Sequence, residues 1–193
     1  MSTVPPIRLH NSAYRSREYL THDEVDALME AAQKNRYGHR DATMILICYR
    51  HGFRASELCA LQWSQFGLVQ TKVHIRRLQG GSPSLHPLQN DEVEALRKLR
   101  QKTPDSDFVF MSERGGPFTT IGFAALIKRA GAKAGLPFKV HPQMLRNACG
   151  YKLANDGHDT RALQHYMGHR NPRHTLKYFE PLPVATIFDG FWS

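Results

Sequence analysis

Two arginines, one histidine and one tyrosine stand in short motifs that are spread over more than a hundred positions of the chain. They are Arg54 in HGFRASEL, Arg146 in HPQMLRNACGY, His169 in YMGHR and Tyr178 in TLKYF. Arginine forks match the non-bridging oxygens of a phosphate, and a tyrosine phenol is a nucleophile that can attack its phosphorus. If the four residues serve one phosphodiester, the chain must fold so that distant segments meet in one pocket.

Helix-start signals and helix-ending glycines divide most of the sequence into short helices. A capping box at residues 21–24 predicts the first helix, and Gly52 ends the second. Residues 72–78 alternate in polarity and predict a strand, with residues 84–88 as its hairpin partner. The later helices are expected to begin at Asn90, Thr119 or Thr120, His141, Thr160 and Asn171, and the last is expected to carry Tyr178. The predicted fold class is mainly α with a small antiparallel β-sheet (α+β).

Basic residues outnumber acidic ones by 26 to 17, which gives a formal net charge of +9. A polyanion is the partner that this balance favours, and double-stranded DNA is the predicted one. The alternative is a basic but merely soluble protein, and for any single residue a solvated surface position. The candidate DNA-binding residues are Arg76, Arg77, Lys128, Arg129, Lys133, Lys139, Arg170 and Arg173.

The cysteines and histidines do not favour a disulfide framework or a metal site. Cys48, Cys59 and Cys149 are odd in number and lack CxxC spacing, so each is expected to be a small buried residue in a reducing compartment. His165 and His169 are four apart and could share a helical face, but no glutamate follows His165 and no third ligand stands out. We therefore predict no metal site.

The ends of the chain differ in composition from its middle. Residues 1–17 are predicted to be a basic arm, residues 18–180 the folded domain, and residues 181–193 an apolar tail that packs in cis or on a neighbouring protomer. The first twenty residues lack the apolar core of a signal peptide, and the longest apolar run, residues 44–49, is too short to cross a bilayer. The expected location is the cytoplasm, in association with the nucleoid, with no membrane partner.

Taken in this order, the motifs resemble those of the tyrosine recombinase (phage integrase) family. Residues 150–169, GYKLANDGHDTRALQHYMGH, are similar to small recombinases of the fimbrial-switch invertase type, which lack a separate N-terminal core-binding domain that clamps DNA. The resemblance implies the fold of a recombinase catalytic domain, and a site-specific recombinase or integrase that cleaves and rejoins DNA through a 3′-phosphotyrosine. It also implies that Arg54, Arg146 and His169 contact the phosphate, that Tyr178 is the nucleophile, and that no cofactor is needed.

Two positions depart from the family pattern. The family carries a lysine in an Arg-x-Lys-x-Gly-like hairpin turn, where this chain has Gln79, and a histidine three residues before the second arginine, where it has Gln143. Glutamine cannot donate a proton as an acid and cannot carry a positive charge. Asn147 also occupies a position where histidine is common in the family.

These departures leave three functions open. The first is a working recombinase, a monomer in solution that forms a dimer or tetramer on DNA. The second is a recombinase-fold protein that binds DNA sites as a regulator or accessory subunit but cleaves poorly. The third, which we favour least, is a nicking activity like that of type IB topoisomerases, without exchange of partner strands.

Overall fold

Short helices surround a small antiparallel sheet, as the sequence predicts. A computed structural model describes residues 17–78 and 80–179, so Gln79, the arm up to residue 16 and the tail 181–193 lie outside the described residues. The described elements are α1 (His22–Gln33), α2 (Gly38–His51), α3 (Ala55–Cys59), a 3-10 turn (Trp63–Gln65), β1 (Phe66–Gly67), β2 (Lys72–Ile75), β3 (Ser84–Pro87), α4 (Asn90–Lys102), α5 (Thr120–Lys133), α6 (Pro142–Asn155), α7 (Thr160–Met167) and α8 (Arg173–Leu176).

The helix ends follow the local signals in the sequence. Thr21 and Glu24 form the predicted capping box of α1, in which each side chain accepts a hydrogen bond from the other residue's backbone N–H. The side chain of Thr119 caps α5 by accepting a hydrogen bond from the backbone N–H of Gly122. The predicted span of α7 is confirmed, and the side chain of Asp159 caps its first turn. These boundaries depend on neighbouring residues only, which is why the sequence is sufficient to place them.

Helix α2 lies at the centre of the core. It packs against α1, α4 and α6, and its side chains Met44, Ile45, Ile47 and Cys48 are fully buried. The three cysteines are buried and free, as expected for small core residues. The contact between α2 and α6 also has a functional consequence, because it brings the C-terminal end of α2 close to the helix that carries Arg146.

The sheet has one strand more than the predicted hairpin. Strands β2 and β3 pair in antiparallel fashion with Val73 opposite His86, and β1 joins the free edge of β2, giving the order β1-β2-β3. The sequence does not reveal β1 because two residues are too few to display alternation. The turn between β2 and β3 contains position 79.

Two predicted boundaries are wrong. Helix α8 ends at Leu176 and does not carry Tyr178, which lies in the following turn and donates its backbone N–H to the carbonyl of Thr175 at 3.0 Å. This bond spans three residues, so the chain tightens after α8 and leaves the α-helical path. Arg17, placed in the arm by the sequence, is bound to Glu24 and packs over Phe138, so it belongs with the folded domain.

Across residues 17–78 and 80–179, the helices are all too short or too polar to cross a membrane. The same part of the chain contains no group of three or more histidine, cysteine, aspartate or glutamate side chains that could hold a metal ion.

Candidate active site

Two glycines at helix ends position the polar side chains that follow them, Arg54 and His169. Gly52 ends α2 with φ of 59°, and Gly168 ends α7 with φ of 64°. Both lie in the left-handed region, which only glycine adopts without steric strain. At each of these glycines the backbone turns sharply out of the helix. Arg54 follows the first turn and His169 follows the second. The two turns approach each other because α6 contacts both α2 and α7.

A buried carboxylate organises the arginines of the site. The side chain of Glu57 is fully buried, and it accepts hydrogen bonds from Arg54 Nη1 at 2.9 Å and from Arg77 Nη1 at 3.0 Å. Arg146 Nη1 lies 3.9 Å from the same carboxylate. Three guanidinium groups therefore share one negative charge. The surplus of positive charge in a water-poor pocket is the electrostatic requirement for holding a phosphodiester.

Arg146 is, like Arg77, a deeply buried cation of this group. Its residue is 2% exposed, and its guanidinium donates hydrogen bonds to the carbonyls of Gly52 and, at 2.7 Å, of Met167. It thus binds the C-terminal ends of α2 and α7, where carbonyl groups point outward and favour a positive charge. Burial, together with Arg54 and Arg77, lowers the pKa of Arg146 to about 10. The group remains charged at neutral pH.

His169 stands beside the arginines as a neutral imidazole. Its Nδ1 is 2.9 Å from the hydroxyl oxygen of Thr175, which fixes the orientation of the ring. Burial, followed by the charges of Arg146 and Arg54, lowers the pKa of His169 to about 3. At neutral pH the ring can therefore donate a hydrogen bond to a phosphate oxygen but adds no charge to the pocket.

The lowered pKa values of two buried histidines predict that acid destabilises the folded protein. Burial lowers the pKa of His86 to about 2, so His86 and His169 both remain neutral in the folded chain well below the pKa of about 6.5 that they have when unfolded. Below pH 6.5 the unfolded chain binds these protons and the folded chain does not. The free energy of unfolding should then fall with falling pH, by about 1.4 kcal/mol per pH unit for each histidine.

Urea unfolding at pH 7, 6 and 5 measures this slope. His169→Asn removes one of the two groups, and it should lower the slope by about 1.4 kcal/mol per pH unit. A free energy of unfolding that does not change between pH 7 and pH 5 would contradict the prediction.

Tyr178 is held inside the site by a close contact with α6. The residue is 3% exposed, its ring stacks on that of His169 with centroids 6.1 Å apart, and its hydroxyl donates to Asn147 Oδ1 at 3.4 Å. The ring fills the space above Gly150, where an added Cβ would lie 2.5 Å from the ring carbons. Burial raises the pKa of the Tyr178 phenol, and Arg146 opposes that increase. The phenol is therefore protonated and shielded in this conformation.

Asn147 is the meeting point of the groups around the phenol. Its Oδ1 accepts hydrogen bonds from Gln143 Nε2 at 3.1 Å, Lys177 Nζ at 3.1 Å and Tyr178 Oη at 3.4 Å. Its Nδ2 donates to the backbone carbonyl of Glu18 at 2.8 Å. Gln143 therefore borders the site through a neutral amide.

Arg77 was predicted to bind DNA, but the structure places it in the interior of the protein. Its side chain is fully buried and donates hydrogen bonds to Glu57 and, at 2.6 Å, to the carbonyl of Tyr166. Its Nη1 also donates to the carbonyl of Gly52 and its Nη2 to that of His51, so all four terminal N–H groups are used within the protein and Arg77 is a structural cation. The sequence did contain a signal: Arg77 falls on the same side of the alternating segment as Val73 and Ile75, which are both buried.

The other candidate DNA-binding residues are exposed. Lys128, Arg129 and Lys133 lie on α5, and Lys139 lies in the segment before α6. The remaining exposed candidates are Arg76, Arg170 and Arg173. The guanidinium of Arg170 lies next to the hairpin turn, since a Cβ added to Gly80 would be 3.2 Å from its Nη1.

The histidine pair four residues apart does not share a helical face. His165 is exposed in the last turn of α7, whereas His169 lies beyond Gly168 and points into the site. The left-handed turn at Gly168 separates their directions.

The structure thus brings together the four residues that the sequence singled out. It also adds three residues to the site that the sequence analysis did not include. Arg54 and Arg146 both influence the pKa values of His169 and Tyr178, which places all four in one electrostatic environment. The additions are Glu57, Lys177 and Asn147, the last of which the sequence suggested only as a departure from a histidine. Glu57 lies within the same motif as Arg54, and Lys177 precedes Tyr178 directly, so adjacency was the only available signal.

A phenol, two arginines and a neutral histidine in one buried pocket define a helical domain suited to covalent phosphodiester chemistry. The phage integrase family matches residues 18–183. Type 1 fimbriae regulatory protein FimB of Escherichia coli (strain K12) is 43% identical over 184 residues, which cover 93% of this chain and 91% of FimB. The chain belongs to the phage integrase family, the tyrosine recombinases.

Solved structures agree with this assignment. The crystal structure of XerA recombinase is 27% identical, with a TM-score of 0.78, and the match covers 95% of this chain and 65% of XerA. The Tn1549 transposon integrase, in complex with transposon right end DNA, has the same fold with a TM-score of 0.74 at 19% identity, over 93% of this chain and 68% of that one. The predicted fold class is confirmed.

Proposed function

We propose that this protein is a site-specific recombinase that cleaves and rejoins double-stranded DNA through a 3′-phosphate bond to Tyr178. The observation that carries the proposal is the meeting of Arg54 and Arg146 at the buried carboxylate of Glu57, with the stacked rings of His169 and Tyr178 within the electrostatic influence of both arginines. Arg54, whose side chain is 28% exposed, would receive the phosphate first. Arg146 would bind the phosphate from the interior of the site, and His169 would donate a further hydrogen bond to it.

The charge of the pocket favours the transition state over the bound substrate. A phosphodiester carries one negative charge, and a second develops as the phenol attacks. Because the guanidinium groups are already fixed by Glu57 and by the carbonyls at the ends of α2 and α7, they do not have to reorganise as that charge appears. The phenol is shielded in this conformation, so it must leave its contact with Gly150 to reach a phosphate on DNA.

Tyr178→Phe is the direct test of this function. The change removes only the hydroxyl, so it should abolish every covalent protein–DNA adduct while DNA affinity and thermal stability stay close to those of the native chain. The assay uses nicked suicide duplexes drawn from a randomised pool and from flanking genomic DNA, followed by denaturing gels. An adduct that persists in Tyr178→Phe would exclude Tyr178 as the nucleophile.

The exposed basic residues suggest how the duplex is held. Arg170 lies next to the hairpin that follows Arg76, Arg173 begins α8, and Lys128, Arg129 and Lys133 lie on α5. Each phosphate that they neutralise should add about −0.9 to the slope of log affinity against log salt.

We also propose that the protein assembles as a dimer or tetramer on DNA, with the tail 181–193 packing in cis or on a neighbouring protomer. Its proposed place of action is the cytoplasm, at the nucleoid.

A second function is a DNA-binding regulator with little cleavage activity. It is favoured by the neutral amide of Gln143 beside Asn147, because no titratable group stands at that position. FimB, a relative, is called a regulatory protein. The two functions separate in one comparison: if the native chain forms no adduct and Tyr178→Phe changes no biological readout, the protein acts by binding.

A further inference from the structure

Lys177 directly precedes the tyrosine, and its side chain folds back into the site. Its Nζ lies 4.8 Å from the centroid of the Tyr178 ring and donates a hydrogen bond of 3.1 Å to Asn147 Oδ1. The Tyr178 hydroxyl donates to that same oxygen at 3.4 Å. The amine and the phenol hydroxyl therefore share one acceptor, which brings both groups to the same amide oxygen of α6.

The surroundings of Lys177 make its ammonium group easier to deprotonate. The side chain is half-buried, and this burial lowers its pKa, as does the charge of Arg146, while Glu18 acts in the opposite direction. Lys177 also contributes to the lowered pKa of His169, which places it in the same pocket as the phosphate contacts. A neutral amine is the form of lysine that can accept a proton.

The geometry of displacement decides which proton this lysine can handle. In an in-line attack on phosphorus, the attacking oxygen and the leaving oxygen are on opposite sides. Lys177 is held on the side of Tyr178 by its contacts with the ring and with Asn147. It is therefore placed to act on the nucleophile and not on the leaving 5′ oxygen.

We infer that Lys177 activates Tyr178 by accepting the phenol proton during cleavage and returning it during ligation. The inference rests on the proposed function and adds to it a residue that acts on the reacting oxygen. In cleavage the Oη–H bond breaks and the proton moves to Nζ, the Oη–P bond forms, and the P–O5′ bond breaks. The 5′ oxygen takes a proton from water, and the Lys177 ammonium gives its own proton to the resulting hydroxide. Ligation reverses each step.

The first test compares two substitutions of Lys177 in the intact chain. Lys177→Met should slow adduct formation on suicide DNA by about 10²–10⁴-fold, the usual contribution of one acid–base group. Lys177→Arg keeps a long basic side chain at this position but remains protonated and cannot accept a proton, so it should be equally slow. Lys152→Met, which removes an exposed lysine of α6, is the matched control and should retain the native rate. Thermal unfolding shows whether each variant is folded.

The second test uses chemistry that a purely structural residue would not affect. With 3,5-difluorotyrosine at position 178, the phenol is more acidic and needs less help to lose its proton, so Lys177→Met should regain at least tenfold in rate relative to its unmodified form. DNA with a 5′-bridging phosphorothiolate has a leaving group that needs no proton. It should therefore speed the native chain and Lys177→Met by the same factor.

The outcomes separate this inference from the function on which it rests. A native rate in Lys177→Met or in Lys177→Arg would overturn the role of Lys177 while leaving the recombinase function intact. If the phosphorothiolate speeds Lys177→Met by a larger factor than the native chain and difluorotyrosine does not speed it, the inference is also overturned, because the lysine would then serve the leaving group. Failure of the native chain to form an adduct on either kind of DNA would overturn the proposed function, and this inference with it.

Discussion

Replacing Gln79 by lysine and Gln143 by histidine together should raise the rate of adduct formation by about 10²–10⁴-fold. The resemblance to tyrosine recombinases assigns the lysine to protonation of the leaving 5′ oxygen, a role that no glutamine can fill. In the native chain this proton must come from water. A lysine at position 79 would supply this proton from its ammonium group.

The two positions should contribute differently to this gain. Gln143 already donates a hydrogen bond to Asn147 Oδ1 at 3.1 Å, and a histidine there could keep that bond while adding a titratable group. We therefore expect Gln79→Lys to account for most of the increase and Gln143→His for a smaller part.

Rates of adduct formation on nicked duplexes measure the gain for both single variants and the double variant. Tyr178→Phe in the doubly substituted background is the blank. An adduct formed only by the substituted chain would identify the native protein as a DNA-binding regulator with a disabled pocket. Equal rates in the native and substituted chains would contradict the prediction, because the leaving group would then have a proton source other than these positions.

Replacing Glu57 by alanine should lower the free energy of unfolding by about 3–5 kcal/mol. Glu57 is the shared partner of Arg54, Arg77 and Arg146, and its side chain has no exposed surface. Its loss would leave buried guanidinium groups close together without a negative charge between them. Since a domain of this kind has a total stability of only about 5–15 kcal/mol, the variant should be close to unfolding at moderate temperature.

Urea unfolding of Glu57→Ala is best compared with Asp91→Ala. Asp91 also binds an arginine, Arg50, but the aspartate side chain is 56% exposed, so its loss should lower the free energy of unfolding by about 1 kcal/mol or less. Glu57→Ala should also form no adduct, because the arginines no longer hold their positions. A loss of stability as small as that of Asp91→Ala would mean that water reaches the guanidinium groups and that Glu57 does not organise the site.

Much of the fold depends on signals that act between neighbouring residues. The capping box at Thr21 and the helix-ending glycine at position 52 were both predicted from the sequence, because helix ends are satisfied by groups a few positions away. Tyr178 was misplaced for the opposite reason. Its position depends on a contact with Gly150, on another helix, which local periodicity cannot reveal.

The sequence by itself determined the helical class of this protein, the family to which it belongs and the four side chains of its candidate site. The reason is that the order and spacing of motifs are properties of the sequence alone. Only the tertiary structure decided how those side chains are charged and connected. It buried Arg77 against Glu57, left His169 neutral, and joined Lys177 and Tyr178 at one oxygen of Asn147. The physical reason is that burial and the distances between charges set the pKa values and the hydrogen-bond partners, and both depend on residues that are remote in the chain.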